Sequence, residues 1–343
     1  EDKFSGYSTG FSSDYEYDTH RLAVKYVYGD LSLIVGADMF DGVRIGSTNK
    51  THKDNQGYFI QGDYYVGATI FSAGIRKESV EYTYEPNAGT ALKGDHDLIA
   101  WNLGFNHRYN DYLTLFSNLN QAFQAPDIDR FFNWGGSFNA FIDPAESRTL
   151  NIGTNLVLPN DRLKLALFYV DLKNEIYYYK TGPWTGMNTN IDESHKYGLE
   201  LQETHRFNDK LSGRVNYAYT RAIIDKENDG GGAFNGKDLP GVSRHSVILG
   251  LDYKVTGRSL LSITHNYRSK AYAASDFSNS GSQKQPSYNS TDVAYTYTPR
   301  ENIEIVAAVQ NLFEEANGIL VEDDAIYPVN FTRNWSVTLR AGF

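Results

Sequence analysis

The C-terminal stretch of this sequence alternates apolar and polar residues with a period of two. From residue 331 to residue 343 the odd positions are apolar, apart from Arg333, and the even positions are polar or small. Successive side chains of a β-strand point to opposite faces of a sheet, so this alternation predicts a strand with one apolar face and one polar face. A chain built from such strands must shield its apolar faces from water.

The same alternation recurs along the chain. It is clear in four further segments, Ile99–Phe105, Leu150–Leu156, Val215–Tyr219 and His245–Tyr253. No segment has a helical repeat that fits better than the strand pattern. Short polar turns, such as Pro159-Asn160-Asp161, alternate with much longer stretches of turn-forming residues. The pattern predicts an all-β, antiparallel fold of about 16 strands, with tight turns at one end and long loops at the other.

The polar face of these strands decides between two kinds of all-β protein. A soluble β-sandwich or propeller would have to pack residues such as Asn102, Asn216 and Asp252 into a dry core, where an unpaired polar group costs about 1–3 kcal/mol. A water-filled or polar-plugged lumen avoids that cost, and strands of about 9–11 residues are long enough to cross a bilayer. A transmembrane antiparallel β-barrel is therefore the favoured interpretation.

This interpretation assigns side chains to the two faces of the barrel wall. The parity of the alternation predicts lipid-facing Trp101, Leu103, Val247, Leu249, Val337 and Leu339. It predicts lumen-facing Arg214, Asn216, Asp252, Asn334 and Arg340. A register error of one residue would exchange the two sets.

Composition and motifs narrow the function. The 42 acidic residues outnumber the 32 basic ones, and the resulting net charge of −10 argues against a nucleic-acid partner. The absence of cysteine excludes a disulfide scaffold, a zinc–thiolate site and a cysteine nucleophile. The sequence has no Gly-x-Ser-x-Gly, His-Glu-x-x-His or phosphate-binding glycine motif. We therefore expect neither an enzyme nor a bound cofactor.

Five segments, in this order, carry a resemblance to a known family. They are Phe123–Phe132, Pro144–Gly153, Tyr197–Leu201, Asn311–Glu314 and Arg333–Phe343. They resemble the Phe-Arg-Ala-Pro segment, the Pro-Glu-x-Ser strand start, the Gly-x-Glu strand, the Asn-Leu-Phe-Asp element and the closing strand of TonB-dependent outer-membrane receptors. Together these segments are spread over about 220 residues of the chain.

The resemblance implies a fold, a location and partners. Members of the family have a 22-strand barrel that encloses an N-terminal plug. Residues 1–343 would then be barrel, starting near the seventh strand, and we expect no plug domain within this chain. The location would be the outer membrane of a Gram-negative bacterium. The expected partners are outer-membrane lipid, the plug and the TonB–ExbB–ExbD motor.

The resemblance also implies energised uptake of a scarce, bulky nutrient. A ferric siderophore or similar metal chelate is the first expectation, and cobalamin is an alternative within the same family. A passive porin-like channel of 16 strands is the alternative from another class, because the length, the acidic charge and the terminal aromatic residue suit it too. A soluble all-β binding module is the third possibility.

Ligands of such receptors are held by the extracellular loops and the upper wall of the lumen. Eight side chains on two predicted loops form the predicted ligand-binding set: Phe131, Phe132, Trp134, Phe138, Phe141, Tyr178, Trp184 and Met187. Exposed aromatic rings on loops would stack against a flat ligand. The alternative is that these rings pack the loops against one another.

One acidic loop resembles a calcium-binding loop in part. Asp225, Glu227 and Asp229 stand at positions 1, 3 and 5, with Gly230 at position 6, but Gly236 occupies the twelfth position, where calcium loops carry a bidentate carboxylate. A loop without a metal is therefore favoured. No other metal site is expected.

The two ends of the predicted sheet provide a test. Sixteen strands of a family that uses 22 do not close with the same curvature, because barrel diameter depends on strand number. We therefore expect no backbone ladder between residues 1–12 and 331–343. Such a ladder would favour the porin-like channel.

Overall fold

The computed structural model describes residues 4–8, 11–133, 136–182, 185–281, 284–322, 325–330 and 332–342. A single 3₁₀ turn, Ile128–Phe131, is the one helical element that these residues form. The strands are β1 (Phe4–Ser8), β2 (Phe11–Tyr28), β3 (Leu31–Gly46), β4 (Asn49–Val66), β5 (Thr69–Pro86), β6 (Leu92–Arg108), β7 (Leu113–Gln124), β8 (Ala145–Val157), β9 (Asp161–Gly182), β10 (Thr185–Arg206), β11 (Leu211–Lys226), β12 (His245–Thr256), β13 (Ser259–Arg268), β14 (Ala271–Tyr272), β15 (Lys284–Gln285), β16 (Tyr288–Arg300), β17 (Ile303–Gln310), β18 (Asn317–Glu322), β19 (Ala325–Asn330) and β20 (Asn334–Ala341).

Sixteen of these strands form one antiparallel sheet, in the order of the chain, which confirms the predicted strand number and fold class. The four others pair as two small hairpins within the loops, β14 with β15 and β18 with β19. Each strand of the sheet pairs with the next sheet strand along the chain. Tight turns, such as Gly29-Asp30 between β2 and β3, hold the two strands they join side by side.

The outer face of the sheet is a band of exposed apolar side chains. Leu103, Leu249, Val337 and Leu339 are all exposed, and Leu249 is 45% accessible although it lies in the middle of a paired strand. Trp101 is partly exposed on the same face. Exposure of aliphatic side chains along so many adjacent strands is costly in water and favourable in hydrocarbon. The band therefore identifies the lipid-facing surface.

Polar side chains occupy the opposite face, as predicted from their parity. Arg214 lies across Gly250 and donates a hydrogen bond to Thr264 Oγ1 at 2.9 Å. Asp252 accepts a hydrogen bond from the hydroxyl of Ser262. These contacts pair the charged and polar groups with one another across neighbouring strands. Their contact with a plug or with water in the lumen stays a prediction.

Several strands continue well beyond the thickness of a membrane. β9 and β10 each have 22 residues, whereas about 9–11 residues cross the hydrocarbon. The extra length lies at the end that carries the long loops. No helix within the described ranges is long and apolar enough to cross a bilayer.

Among the described residues, β1 pairs with β2 and β20 pairs with β17, and neither has a second partner strand. Residues 1–3, 9–10, 331 and 343 lie outside the described ranges. The expectation that the two ends do not form a ladder stays a prediction for those residues.

Candidate ligand site at the loop end of the barrel

The loop that follows β7 folds back over the lumen face of β4, β5 and β6. Its 3₁₀ turn places Ile128 and Phe131 against Val80 and Tyr82 of β5 and Leu98 of β6. Phe131 and Val80 are both 0% exposed. The loop thereby forms a compact apolar cluster on a wall whose lumen face is otherwise polar.

Ring contacts give this cluster a defined geometry. Phe131 lies edge-to-face with Tyr82 at 4.8 Å between ring centroids and with Phe141 at 5.0 Å. Phe138 stacks on Tyr84 at 4.0 Å with only 14° between the ring planes. Offset-stacked and edge-to-face pairs are the favoured arrangements of aromatic rings, so the loop is held in one conformation by several of them.

Polar contacts attach the start of the loop to the wall. The carbonyl oxygen of Pro126 accepts hydrogen bonds from Lys53 Nζ at 3.0 Å and from the hydroxyl of Tyr82 at 2.7 Å. Along β4, Lys53 lies five residues closer to the loop end than Tyr58, which is the exposed tyrosine nearest that end on the lipid face. Lys53 therefore lies above the membrane. Burial lowers the pKa of Lys53, and this effect outweighs the carboxylates of Asp127 and Glu78, which raise it.

Arg44 attaches the 3₁₀ turn at a second point. Its Nε donates to Asp129 Oδ1 at 3.0 Å, and the hydroxyl of Tyr15 donates to the same oxygen at 2.8 Å. The guanidinium also lies 3.9 Å from the ring centroid of Phe132, a cation–π contact. Arg44 is 8% exposed, so these partners compensate for most of its lost hydration.

An ionic network supports the cluster from below. Arg76 donates two parallel hydrogen bonds to Asp38, at 2.6 and 2.7 Å, and also binds Glu78. Asn55 donates to the second oxygen of Glu78 at 2.7 Å. A Cβ at Gly57 would lie 2.2 Å from Arg76 Nη2, so only glycine leaves room for this guanidinium between the strands.

A cavity of about 550 Å³ opens beside the loop on the lumen side. Its walls are the β3–β4 turn, Arg44, and the stacked rings of Tyr84 and Phe138. Ser47, Thr48 and Asn49 add hydroxyl and amide groups around its rim. A cavity of this size, with one cation, an aromatic wall and a largely polar rim, is large enough to hold part of a small-molecule ligand.

The architecture agrees with the comparison with known families. The family model described as "TonB dependent receptor-like, beta-barrel" matches residues 1–312. The chain belongs to this family. It is accordingly part of a receptor barrel of the Gram-negative outer membrane, and the family is one of receptors, not of enzymes. The predicted fold, location and absence of enzymatic activity are confirmed at this level.

Individual relatives are distant. The chain is 24% identical over 326 residues to the "Vitamin B12 transporter BtuB" of Vibrio vulnificus, covering 91% of this chain and 48% of that protein. It is 23% identical over 244 residues to the "Probable TonB-dependent siderophore receptor PiuA" of Acinetobacter baumannii, covering 66% and 32%. The chain thus spans at most about half the length of these curated relatives.

Solved structures share the fold at low identity. The siderophore receptor PiuA from Acinetobacter baumannii superposes with a TM-score of 0.77 at 17% identity, covering 96% of this chain and 56% of that one. The copper transporter OprC superposes with a TM-score of 0.79 at 16% identity, covering 97% and 57%. These similarities show the barrel fold and leave the substrate of this chain open.

The structure divides the described residues of the predicted ligand-binding set into two groups. Phe131 and Phe132 are buried within the loop cluster, so they support the cavity wall and do not face the cavity. Phe138 and Phe141 are partly exposed, and Phe138 lines the cavity. Their contact with a ligand stays a prediction.

The remaining members of the set lie on the hairpin of β9 and β10. Tyr178 is 41% exposed, and Met187 pairs with Tyr179. Trp134 and Trp184 lie outside the described residues. The cavity residues Arg44 and Tyr84 were absent from the predicted set because no local pattern shows which strand a loop will contact.

The acidic loop does not bring its three carboxylates together. Glu227 is 1% exposed and accepts hydrogen bonds from the backbone N–H groups of Gly230 and Phe234. Asp229 accepts a hydrogen bond from the hydroxyl of Tyr177, and Asp225 contacts His195. Each carboxylate therefore has a different structural partner, and the absence of calcium from this loop stays a prediction.

A different group has the composition of a metal site. Asp161, Glu203 and His205 offer ligand atoms that lie within 4.8 Å of one another, the single such group in the described part of the chain. It lies at the tight-turn end, where Asp161 and His205 pair across β9 and β10 and share a hydrogen bond. Glu203 and His205 alternate along β10, and Asp161 lies opposite His205 on β9. The alternation of side chains along the two strands therefore places all three on one face, a signal that the sequence contains.

Acidification should loosen the loop between β13 and β16. Burial alone would raise the pKa of Asp276, but hydrogen bonds from the backbone N–H groups of Gly281 and Ser280 and from the hydroxyls of Ser278 and Ser280 outweigh it and lower this pKa. The ionised Asp276 therefore stabilises the folded loop fully above the ordinary aspartate pKa of about 3.9. This stabilisation is lost as pH falls through the lower pKa of Asp276 in the folded state.

We expect amide hydrogen exchange at Ser280 and Gly281 to accelerate across that pH range, beyond the intrinsic pH dependence of exchange. Asp276→Asn should show fast exchange at all pH values. Asp111→Asn, in a tight turn at the other end, is the control. A pH-independent protection at Gly281 in the unmodified protein would contradict the assignment.

Proposed function

We propose that the protein containing this chain imports a ferric siderophore or a similar metal chelate across the outer membrane, powered by the TonB motor. The observation that carries the proposal is the cavity of about 550 Å³ at the loop end, bounded by Arg44 and the stacked pair Tyr84 and Phe138. Membership of the receptor family supports active import over passive diffusion.

The chemistry of the cavity suits such a ligand. Ferric tris-catecholate and related chelates are anionic and present flat aromatic faces. The guanidinium of Arg44 provides a charge that a hydrogen-bonded anion would share with Asp129. The ring of Phe138 offers a surface for stacking, and its plane is fixed by Tyr84 beneath it.

Cobalamin is the second candidate substrate. The support for it is the vitamin B12 transporter of Vibrio vulnificus, whose similarity extends over 91% of this chain. Cobalamin is much larger and less anionic than a catecholate chelate, so it would depend less on Arg44. The two candidates therefore differ in the effect of removing that charge.

Binding and uptake by the full-length protein test the proposal. Ferric tris-catecholate, ferric tris-hydroxamate and cyanocobalamin are added in turn, and binding is followed by quenching of protein fluorescence. We expect a ferric chelate to bind, and Phe138→Ala and Arg44→Gln each to weaken it at least tenfold. Phe313→Ala, which removes a ring 67% exposed on another loop, should leave it unchanged.

Uptake of the labelled chelate by cells should require an intact TonB motor. Tighter binding of cyanocobalamin than of either chelate, with a smaller effect of Arg44→Gln on cyanocobalamin than on the chelates, would favour the second candidate. Uptake that persists without the motor would contradict active import and favour the porin-like channel.

A further inference from the structure

A second cavity, of about 300 Å³, lies at the loop end of the barrel wall, and Arg221 reaches it from the outward face. It is bounded by the upper end of β11, the start of β12, the end of β13 and the hairpin of β14 and β15. Among its β11 residues, Arg221 lies on the outward face, whereas Thr220 and Ala222 have the parity of the lumen face, so the cavity opens at the top edge of the wall. On β11 Val215 pairs with the lipid-facing Leu249, so residues 217, 219 and 221 share the outward face.

The cavity begins directly above an aromatic row. Tyr217 and Tyr219 pair with Val247 and His245, and the Tyr217 hydroxyl lies 2.9 Å from His245 Nδ1. Tyrosines at this position mark the boundary between hydrocarbon and lipid headgroups. Arg221 follows two residues later on the same face, about 7 Å further along the strand. The cavity is therefore at the depth of the headgroups.

Positive charge is concentrated in this cavity. Arg221, Arg244, Lys270 and Lys284 line it, and Asp238 is the single carboxylate among its lining residues. Four cations and one anion leave a local excess of positive charge in a chain whose net charge is −10. Such an excess in an acidic protein favours an anionic ligand.

Asp238 orients the two arginines without neutralising the lysines. Its Oδ1 lies 3.3 Å from Arg221 Nε and its Oδ2 lies 2.5 Å from Arg244 Nη2. This arrangement fixes two guanidinium groups side by side. Lys270 and Lys284 are exposed at the cavity, and Lys284 Nζ lies 5.9 Å from the ring centroid of Tyr272.

The backbone that carries Asp238 is itself held in place. The side chain of Asn279 accepts a hydrogen bond from the Asp238 N–H at 2.7 Å and donates one to its carbonyl at 2.9 Å. Asn279 adopts the left-handed conformation, at φ 55°, within the turn that Asp276 caps. The cavity therefore has a rigid cationic wall before any ligand arrives, which lowers the entropic cost of binding.

We infer that this cavity binds a phosphate group on the headgroup of an outer-leaflet lipid. The two oriented arginines match the geometry in which guanidinium groups bind phosphate, and the lysines add point charges. Leu239, Val242 and Ala271 line the apolar part of the cavity, next to the lipid-facing surface. A lipid can thus place its phosphate among the cations while its acyl chains cover the apolar band below.

This inference goes beyond the proposed import function. The chelate cavity lies on the lumen face of β3 to β5, whereas this cavity lies at the top of β11 to β13, on strands that do not border the chelate cavity. The lipid site would anchor the loops that follow β11 and β13 to the membrane surface. Variants that empty it should leave chelate binding unchanged.

Lipid retention by the full-length protein tests the inference. The protein is extracted from outer membranes in mild detergent, and bound lipids are identified by native mass spectrometry. The double variant Lys270→Gln/Lys284→Gln removes the two exposed lysines and keeps the Asp238 contacts intact. We expect it to retain at least tenfold less phosphorylated lipid than the unmodified protein.

The matched control is Lys50→Gln/Lys77→Gln, which removes one charge from the loop end of β4 and one from the middle of β5. It should change retention less than twofold. Delipidated protein is then offered vesicles that contain the native outer-leaflet glycolipid or its enzymatically dephosphorylated form, and binding should require the phosphate.

Equal loss of lipid in the two double variants, or equal binding of the dephosphorylated glycolipid, would overturn the inference. Binding of inorganic phosphate without any retained or vesicle-borne lipid would assign the cavity to a free anion instead. Weakened binding of ferric tris-catecholate in Lys270→Gln/Lys284→Gln would assign it to the import pathway.

Discussion

Phe131→Ala is expected to release the loop that follows β7 from the barrel wall. The ring is completely buried against Tyr82 and Phe141, and truncation of a buried phenylalanine costs about 3–5 kcal/mol. The loss should appear as local opening, because the strands below are paired independently of the loop. Protection of the Phe132 and Asn139 amides against hydrogen exchange should fall by at least about 100-fold.

The control for this prediction is Phe313→Ala. Phe313 is 67% exposed on the loop that follows β17, so its removal should cost about 0.5 kcal/mol or less. Unchanged protection at Asn139, whose N–H donates to the Phe131 carbonyl, would show that the cluster does not hold the loop. If Phe131→Ala also weakens chelate binding, the cluster acts as the support of the cavity wall.

Leu249→Lys should destabilise the barrel in a bilayer by about 2–4 kcal/mol, the cost of a lysine on the lipid face near the middle of the membrane. Leu249 is 45% exposed and lies between Val215 of β11 and His265 of β13 on the outward face. The measurement is denaturant-induced unfolding of the full-length protein from phospholipid vesicles.

Ile248→Lys is the matched control, because it introduces the same charge one residue away at the same depth. Ile248 pairs with Asn216 and Asn266 on the polar face, where water or a polar plug can solvate an ammonium group. We expect it to cost less than half as much as Leu249→Lys. Equal costs would mean that the two faces of β12 are not lipid and lumen.

The contrast between these two positions shows what local sequence contains. Leu249 and Ile248 are both aliphatic, and a hydropathy average over the segment does not separate them. Alternation over His245–Tyr253 does, because strand side chains change face at every residue. The same rule placed Arg214, Asp252 and Arg340 opposite the apolar band, and Arg340 pairs there with Glu304 across β20 and β17.

Loop contacts had no comparable signal. The seven aromatic residues and Met187 of the predicted ligand-binding set share only a position on predicted loops, and the sequence could not separate the buried Phe131 from the cavity-lining Phe138. Burial of Phe131 depends on Val80 and Tyr82, about 50 residues away along the chain. A ring on a loop is a ligand contact or a packing contact according to what lies opposite, and that is a property of the folded chain.

The sequence by itself determined the strands, their facing and their order, because each of these depends on residues that are neighbours along the chain. A period of two, a tight turn and an antiparallel partner are all local features. The tertiary structure alone decided which distant groups meet. Pro126 reaches Lys53 across 73 residues, and Arg221 of β11 and Lys284 of β15 line one cavity. Loop backbones carry no periodic constraint, so their contacts depend on the shape and charge of the wall onto which they fold.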